Sequence, residues 1–445
     1  MTHANKGSAL LKRLLPCLGA IAIALLVAAP AIASGQARAL SDAVLDQMQA
    51  GEFQAVHDGL APDMQAAVSV QALAQGWPGL QQQFGPLQSR GEPRLLTRAV
   101  TTLVVTPLHF EHATWNANLA FDDQERTISL LLQPAPAAAP PPADDAGYAE
   151  HDFSVGQGDA ALPGTLAMPD GQGPFPAVVL VHGSGAQDRD ETIGPNRPFL
   201  DIARGLADQG IAALRYDKRT LVHQAAAAAD PDFGVDDETT SDAVVAVAAL
   251  RATPGIDPER VYVFGHSLGA MMAPRIVQRA EGAAGAILFA APARKLLDVV
   301  PGQIAYMGEM QGADPAQTQA VLDRMADATA RLRAGDDVPA AETPLGLPAA
   351  YWRSTEAVDP VAEARALAQP LLVLHGGRDV QVIDTDWQMW REAFSDDPRV
   401  ELKRYPELGH LGIAADADDP LASYQQAGKV EQALIDDVAN WIRAR

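Results

Sequence analysis

Five short runs of almost unbroken apolar residues, 177–181, 212–215, 261–264, 286–289 and 371–374, recur through the second part of the chain. A run that is apolar at nearly every position, rather than at alternate ones, suits a strand covered on both faces, as in a parallel sheet. Between the runs, residues 241–250 and 268–278 carry the spacing of amphipathic helices. The alternation predicts a doubly wound, mostly parallel α/β sheet. It stops between Phe289 and Pro370, where Tyr306, Met307, Met310, Leu322 and Met325 fall at roughly helical spacing. A largely helical cap is therefore expected over residues 294–365. The methionines read as ordinary packing or as an adaptable apolar lining. Tyr351 and Trp352, near the end of the insertion, are candidate substrate-binding aromatics, with plain core as the competing reading.

The first part of the chain is patterned differently. Residues 40–83 are helical in period, with breaks expected near Gly51 and Gly76. Residues 94–105, 108–121 and 126–132 then read as strands, the last two joined by the turn Asp122-Asp123-Gln124-Glu125. Helices followed by an antiparallel sheet make a small α+β domain over residues 34–132. Five prolines among the alanines of residues 134–143 form neither helix nor ladder, so 133–145 reads as a semi-rigid extended linker and 146–445 as the second domain. His109, His112 and Trp115 lie on the strands of the first domain, where residues on one face are ordinary core or surface, and no site is assigned to them.

Candidate chemistry sits at the end of the third apolar run. There a strand passes through Gly265-His266-Ser267-Leu268-Gly269 into a helix. Small flanking residues permit a strained turn that lifts a serine hydroxyl into a pocket, so Ser267 is the candidate nucleophile. A serine needs a base, and the base needs an orienting acid. Where a serine is presented in this way, acid and base follow it in the chain in that order. Of the ten histidines, seven precede Gly265, His266 adjoins the serine, and His375 precedes the best acid candidate. His410 remains. The acid is expected just past a buried strand, as Asp379 is after residues 370–374 and Gly376-Gly377; Asp384 and Asp386 are runners-up that read as helix N-terminal carboxylates. Leu268 N–H, directly after the nucleophile, and Ser184 N–H, in the glycine-rich turn His182-Gly183-Ser184-Gly185, are the candidate oxyanion donors. His266, beside the nucleophile, is a weaker candidate for substrate contact.

From about Ala146 to Arg445 these motifs resemble the α/β-hydrolase superfamily. More narrowly the chain is similar to bacterial, often exported, serine esterases related to the dienelactone hydrolases and to prolyl-oligopeptidase catalytic domains. The narrower resemblance rests on His182-Gly183-Ser184-Gly185 with Asp188-Arg189-Asp190-Glu191, Gly194-Pro195-Asn196 and Pro198-Phe199. It continues through Leu214-Arg215-Tyr216-Asp217-Lys218-Arg219-Thr220 and Gly377-Arg378-Asp379-Val380-Gln381-Val382. It implies a Ser267–Asp379–His410 triad. Dienelactone hydrolases proper use cysteine at the nucleophile position, so their particular reaction does not carry over. The helix-then-strand order of the first domain resembles small cone-shaped domains of unknown function that precede some bacterial hydrolases.

The expected activity is carboxylic ester hydrolysis through an acyl-enzyme, with a small-molecule ester as substrate. Amide or peptide cleavage is the alternative reaction, and a non-catalytic binding protein on the same fold the alternative class. No zinc-ligand spacing and no phosphate-binding glycine loop occur, so neither metal nor cofactor is expected. The acidic run 188–191 reads as a solvated loop neutralised by Arg189, and residues 216–219 as an ion-paired loop at a strand end near the pocket rim.

Lys6, Lys12 and Arg13 precede an apolar stretch over residues 14–29, and Ala31-Ile32-Ala33 supplies a small-residue cleavage site, so residues 1–33 read as a signal peptide and the protein as periplasmic or secreted. An uncleaved anchor is the rival. Removing the leader takes the formal charge from -23 to -26, a surface that repels nucleic acid and anionic membranes. It also removes Cys17, the only cysteine, leaving no disulfide in the mature chain. The mature chain is expected to begin at or within a few residues of Ser34, which intact-mass measurement on protein from an exporting host reads directly; full-length chain in the membrane fraction would instead mean an anchor.

Overall fold

The computed structural model describes residues 34–98, 101–122, 124–135, 139–310 and 312–445. The leader of residues 1–33, including Cys17, lies outside the described residues, as do Asp123 and residues 136–138 of the Pro/Ala-rich stretch.

Four helices, Ser34–Ala50, Phe53–Asp58, Pro62–Ala67 and Val70–Phe84, precede an antiparallel sheet of β1 (Leu87–Arg90), β2 (Arg94–Arg98), β3 (Thr101–Phe110), β4 (Thr114–Phe121) and β5 (Thr127–Pro134). Leu45, Met48, Val56 and Trp77 from the helices close on Val104, Leu108, Phe110 and Leu119 of the sheet. The helix break at Gly51 is present, with φ at 76°. Gly76 is not a break but lies inside the helix Val70–Phe84. The chain leaves helix instead around Gly59 and Ala61, because their carbonyl and N–H pair with Thr127 of β5, and again between Pro62–Ala67 and Val70–Phe84, the latter capped by Ser69, whose hydroxyl accepts the Ala72 N–H. The span 94–105 is divided between β2 and β3, and 108–121 between β3 and β4, with a reversal held by Phe110 N–H on Ala113 O. The ladder also runs further than the prolines suggested. Pro134 lies opposite Trp115 and Ala135 N–H bonds Thr114 O, which a strand-end proline permits because no donor is asked of it.

The second sheet contains β6 (Tyr148–Val155), β7 (Leu162–Pro169), β8 (Phe175–Val181), β9 (Ala212–Tyr216), β10 (Ile256–His266), β11 (Gly285–Phe289), β12 (Leu371–Gly376) and β13 (Val400–Tyr405). Their order across the sheet is β13-β12-β11-β10-β8-β9-β7-β6. From β13 to β9 neighbours are parallel, and β7 and β6 form an antiparallel edge. The apolar runs are explained by what covers them. Val179, Val181, Val263 and Leu288 point into one layer with Ala243, Met271 and Trp390, while Val178, Leu180, Phe264 and Ile287 point into the other with Phe199, Leu434 and Val438. Between β11 and β12 the insertion folds as the helices Leu296–Met310, Pro315–Ala334, Ala349–Glu356 and Pro360–Ala366.

After β8 the chain crosses to β9 on one side and later returns to β10 on the other, so the loops after β8 and β10 diverge from a shared crevice. Here Gly269 is indispensable, since a methyl group in its place would collide with the carbonyl oxygen of Val181. Gly269→Ala is expected to destabilise the protein by at least ~1–3 kcal/mol through overpacking, seen as a lowered Tm; an unchanged Tm would mean that β8 and the helix Leu268–Arg279 are not packed this closely.

Candidate functional site

Ser267 forms the turn between β10 and the helix Leu268–Arg279. Its backbone is held at φ 53° and ψ -117°, a region non-glycine residues rarely occupy, and its N–H donates to Phe289 O at 3.0 Å. Gly183, in the turn after β8, has no side chain, so the loop lies directly against the Ser267 Cβ. Three buried groups fix that loop. Glu191 Oε1 accepts Gly183 N–H at 2.6 Å, Lys218 Nζ donates to Gly183 O at 2.6 Å, and Glu238 Oε1 accepts both Gly185 N–H at 3.0 Å and Lys218 Nζ at 2.6 Å. The N–H groups of Ser184 and Leu268 donate to no acceptor among the described residues. Both are left available to an incoming oxyanion.

His410 lies in the loop after β13, where its Nδ1 donates to Asp379 Oδ2 at 2.8 Å. The other oxygen, Oδ1, accepts the N–H groups of Gln381 and Val382 at 2.8 and 2.9 Å. Burial alone would push the Asp379 pKa up, but the neighbouring charge and hydrogen bond of His410 outweigh it, and the carboxyl stays below its usual range. With Nδ1 committed to a carboxylate, Nε2 is the free basic nitrogen. Among the described residues the side-chain hydrogen bond of His410 is the one to Asp379, and a nucleophile–base bond commonly tightens only once substrate is bound. Ser267 and His410 are neighbours through the backbone, since His266 Nε2 bonds the carbonyl of His410 at 2.9 Å.

Asp384 and Asp386 bond no histidine. Asp384 pairs with Arg404 at 2.8 Å near the surface. Asp386 does more than sit at a helix start: it is fully buried, pairs with Arg294 at 2.7 Å and accepts the N–H groups of Ala293 and Arg294, fixing the chain where it leaves β11.

Three candidates for substrate contact belong elsewhere. His266 is buried, with Nδ1 on Glu191 at 2.9 Å and Nε2 on His410 O. Tyr351 is buried and donates its hydroxyl to Glu238 Oε2 at 2.7 Å; Trp352 is wholly buried and donates Nε1 to Pro344 O. A buried phenol or indole needs such a partner, and these rings pack in the core rather than line a pocket. Met325 likewise packs into the core, while Met310 is exposed. The run 188–191 is not a solvated loop. Arg189 pairs with Asp217, Asp190 with Arg215, and Glu191 is buried beneath the serine turn. Residues 216–219 are ion-paired as expected, with Lys218 and Arg219 on Glu238 and Asp242. Glu191, Glu238 and Lys218 are the site residues that sequence reasoning missed, because a charged run gives no local sign of which carboxylate turns inward.

Residues 173–414 match the family described as serine aminopeptidase, S33, and residues 41–130 match a family of unknown function, DUF3887. The chain belongs to the serine aminopeptidase S33 family of α/β-hydrolases. This α/β-hydrolase is 33% identical over 395 residues to Esterase EstD of Thermotoga maritima, covering 88% of this chain and 91% of that one. Among solved structures, the esterase Pf2001 of Pyrococcus furiosus matches 70% of this chain and 96% of its own at 16% identity, TM-score 0.44. A putative dipeptidyl aminopeptidase IV from Bacteroides ovatus matches 77% of this chain and 42% of its own at 14% identity, TM-score 0.44.

Asp379→Asn is expected to lower kcat of the hydrolase on a soluble activated ester by at least ~10²-fold, because the amide presents the wrong hydrogen-bonding pattern to Nδ1–H, whereas Asp384→Asn should stay within about threefold of the parent. The reverse ranking would relocate the acid.

Proposed function

We propose that this α/β-hydrolase cleaves carboxylic esters through an acyl-enzyme formed on Ser267. The observation that carries the reading is the His410–Asp379 pair beside a strained, partly exposed serine, in a chain whose esterase relative aligns along nearly its whole length. His410 Nε2 takes the Ser267 proton as Oγ attacks the ester carbonyl. Ser184 and Leu268 N–H groups receive the oxyanion, each such donor being worth about 2.7–4 kcal/mol of barrier. The carbonyl re-forms as His410 returns the proton to the departing alcohol. Water then attacks the acyl carbon as it gives a proton to the same nitrogen, which returns that proton to Ser267 Oγ as the acyl–oxygen bond breaks and the acid leaves. Asp379 holds the ring in the needed tautomer throughout and stabilises it while charged. The reading of residues 1–33 as a leader supports the further proposal that this chemistry operates outside the cytoplasm.

The family description supports amide cleavage as the competing reaction, since the same apparatus opens both bonds. Assay of p-nitrophenyl esters of graded chain length beside aminoacyl anilides separates them, and turnover of the anilides alone would overturn the ester reading. Ser267→Ala is expected to lower kcat on the preferred ester at least ~10³-fold and to abolish labelling by a fluorophosphonate. Near-parental activity in that folded variant would remove Ser267 from the mechanism.

A further inference from the structure

Glu191 stands where the backbone is strained, at φ 51°, in a turn closed by its own N–H on Asp188 O, and its carboxylate is buried. A strained conformation and a buried charge each need compensation. The compensation lies in three bonds that meet at one place. Oε1 takes the Gly183 N–H of the turn that carries Ser184, Oε2 faces His266 Nδ1, and His266 Nε2 faces the carbonyl of His410.

Both ring nitrogens of His266 therefore face oxygens that ordinarily only accept. A neutral imidazole has a single N–H and can satisfy one of them. We infer that His266 is a doubly protonated imidazolium paired with the Glu191 carboxylate at neutral pH, and that this buried pair is a positioning device tying the Ser184 turn, the Ser267 elbow and the His410 loop into one unit. Its effect on turnover rests on the ester-hydrolase reading; its charge state does not.

The surroundings agree with a cation. The His266 ring stacks on Phe289 at 5.3 Å and 24°, a face that attracts positive charge. Burial pulls the His266 pKa down, yet the charge and hydrogen bond of Glu191 pull it further up, to a net rise; burial raises Glu191, and His266 brings it below its usual value. The ionisable groups facing the pair are His182, near enough to Glu191 for their charges to interact, then Lys218 on the far side of Gly183, and Asp379 with His410 on the other flank. His182 is held neutral, its pKa lowered to about 4 by burial, so it adds no competing charge. Because the folded value of His266 lies above its ordinary 6.5, the pair is complete below that pH and is lost as pH rises through the folded value. It is lost on the acid side only as pH falls through the depressed value of Glu191.

Two variants separate charge from support. Glu191→Gln has a neutral way to satisfy all three neighbours: its oxygen accepts from Gly183, its NH₂ donates to Nδ1, and a neutral ring keeps Nε2–H on His410 O. Glu191→Ala has none. The protein labelled with ¹⁵N-histidine is expected to show, at about pH 7, one ring with both nitrogens protonated, where unperturbed histidines are mostly neutral; that ring becomes singly protonated in Glu191→Gln. On a soluble ester, Glu191→Ala should lower kcat at least ~10²-fold with little change in KM, and Glu191→Gln about tenfold, with the parental alkaline fall in kcat gone. A parent in which every histidine ring is neutral at that pH overturns the ion pair whatever the variants do. A folded Glu191→Ala protein within threefold of the parent overturns the positioning role, whereas failure of the ester reading itself would show separately as an active Ser267→Ala.

Discussion

Three stretches of backbone must meet at the C-terminal end of β10 more closely than side chains allow, and the rest of the site follows from that contact. Gly269 lets the helix Leu268–Arg279 begin against Val181, and Gly183 lets the turn after β8 lie against Ser267. Ser267 cannot relax from positive φ, because its N–H is fixed to Phe289 O and the strands on both sides are in parallel register. Such strain costs on the order of 1–3 kcal/mol and persists only where surrounding structure overdetermines it. Two apolar layers, one on each face of the sheet, provide that surrounding structure.

Beneath this contact the protein buries charge in pairs. Glu191 with His266, Asp379 with His410, Glu238 with Lys218 and Asp386 with Arg294 each remove a carboxylate from water and supply it with a cation or hydrogen-bond donors in return. Pairs of this kind add little net stability, since desolvation offsets most of their attraction. What they add is direction. A carboxylate with several fixed donors orients the loops that carry them, and here those loops hold Ser184, His410 and the start of the helical insertion.

The helical insertion between β11 and β12 is joined to this system. Tyr351, from one of its helices, donates to Glu238, whose other oxygen supports Gly185 and Lys218, and Ser354 Oγ accepts Val235 N–H close by. Packing of this insertion and the path of the turn after β8 are therefore linked through one buried carboxylate.

Sequence alone determined the features that repeat or that local rules specify. Runs buried on both faces marked five strands of the parallel sheet, small residues marked the Ser267 turn, chain order singled out His410, and a place just past a buried strand marked Asp379, which the structure joins to His410 at 2.8 Å. The antiparallel edge β6–β7 and the division of residues 94–121 into hairpins were not legible, since partly exposed strands carry weaker patterns and their ends are set by pairing partners. Nor was the inward turn of Glu191, or the burial of Tyr351 and Trp352. Hydrophobic period tells which face of an element is covered; whether a charged or amphipathic side chain finds a partner depends on residues far away in the chain, 75 positions away for Glu191 and His266 and 113 for Tyr351 and Glu238. Only the tertiary structure decides those meetings, because the energy of a buried polar group resides in its partner and not in its own stretch of sequence.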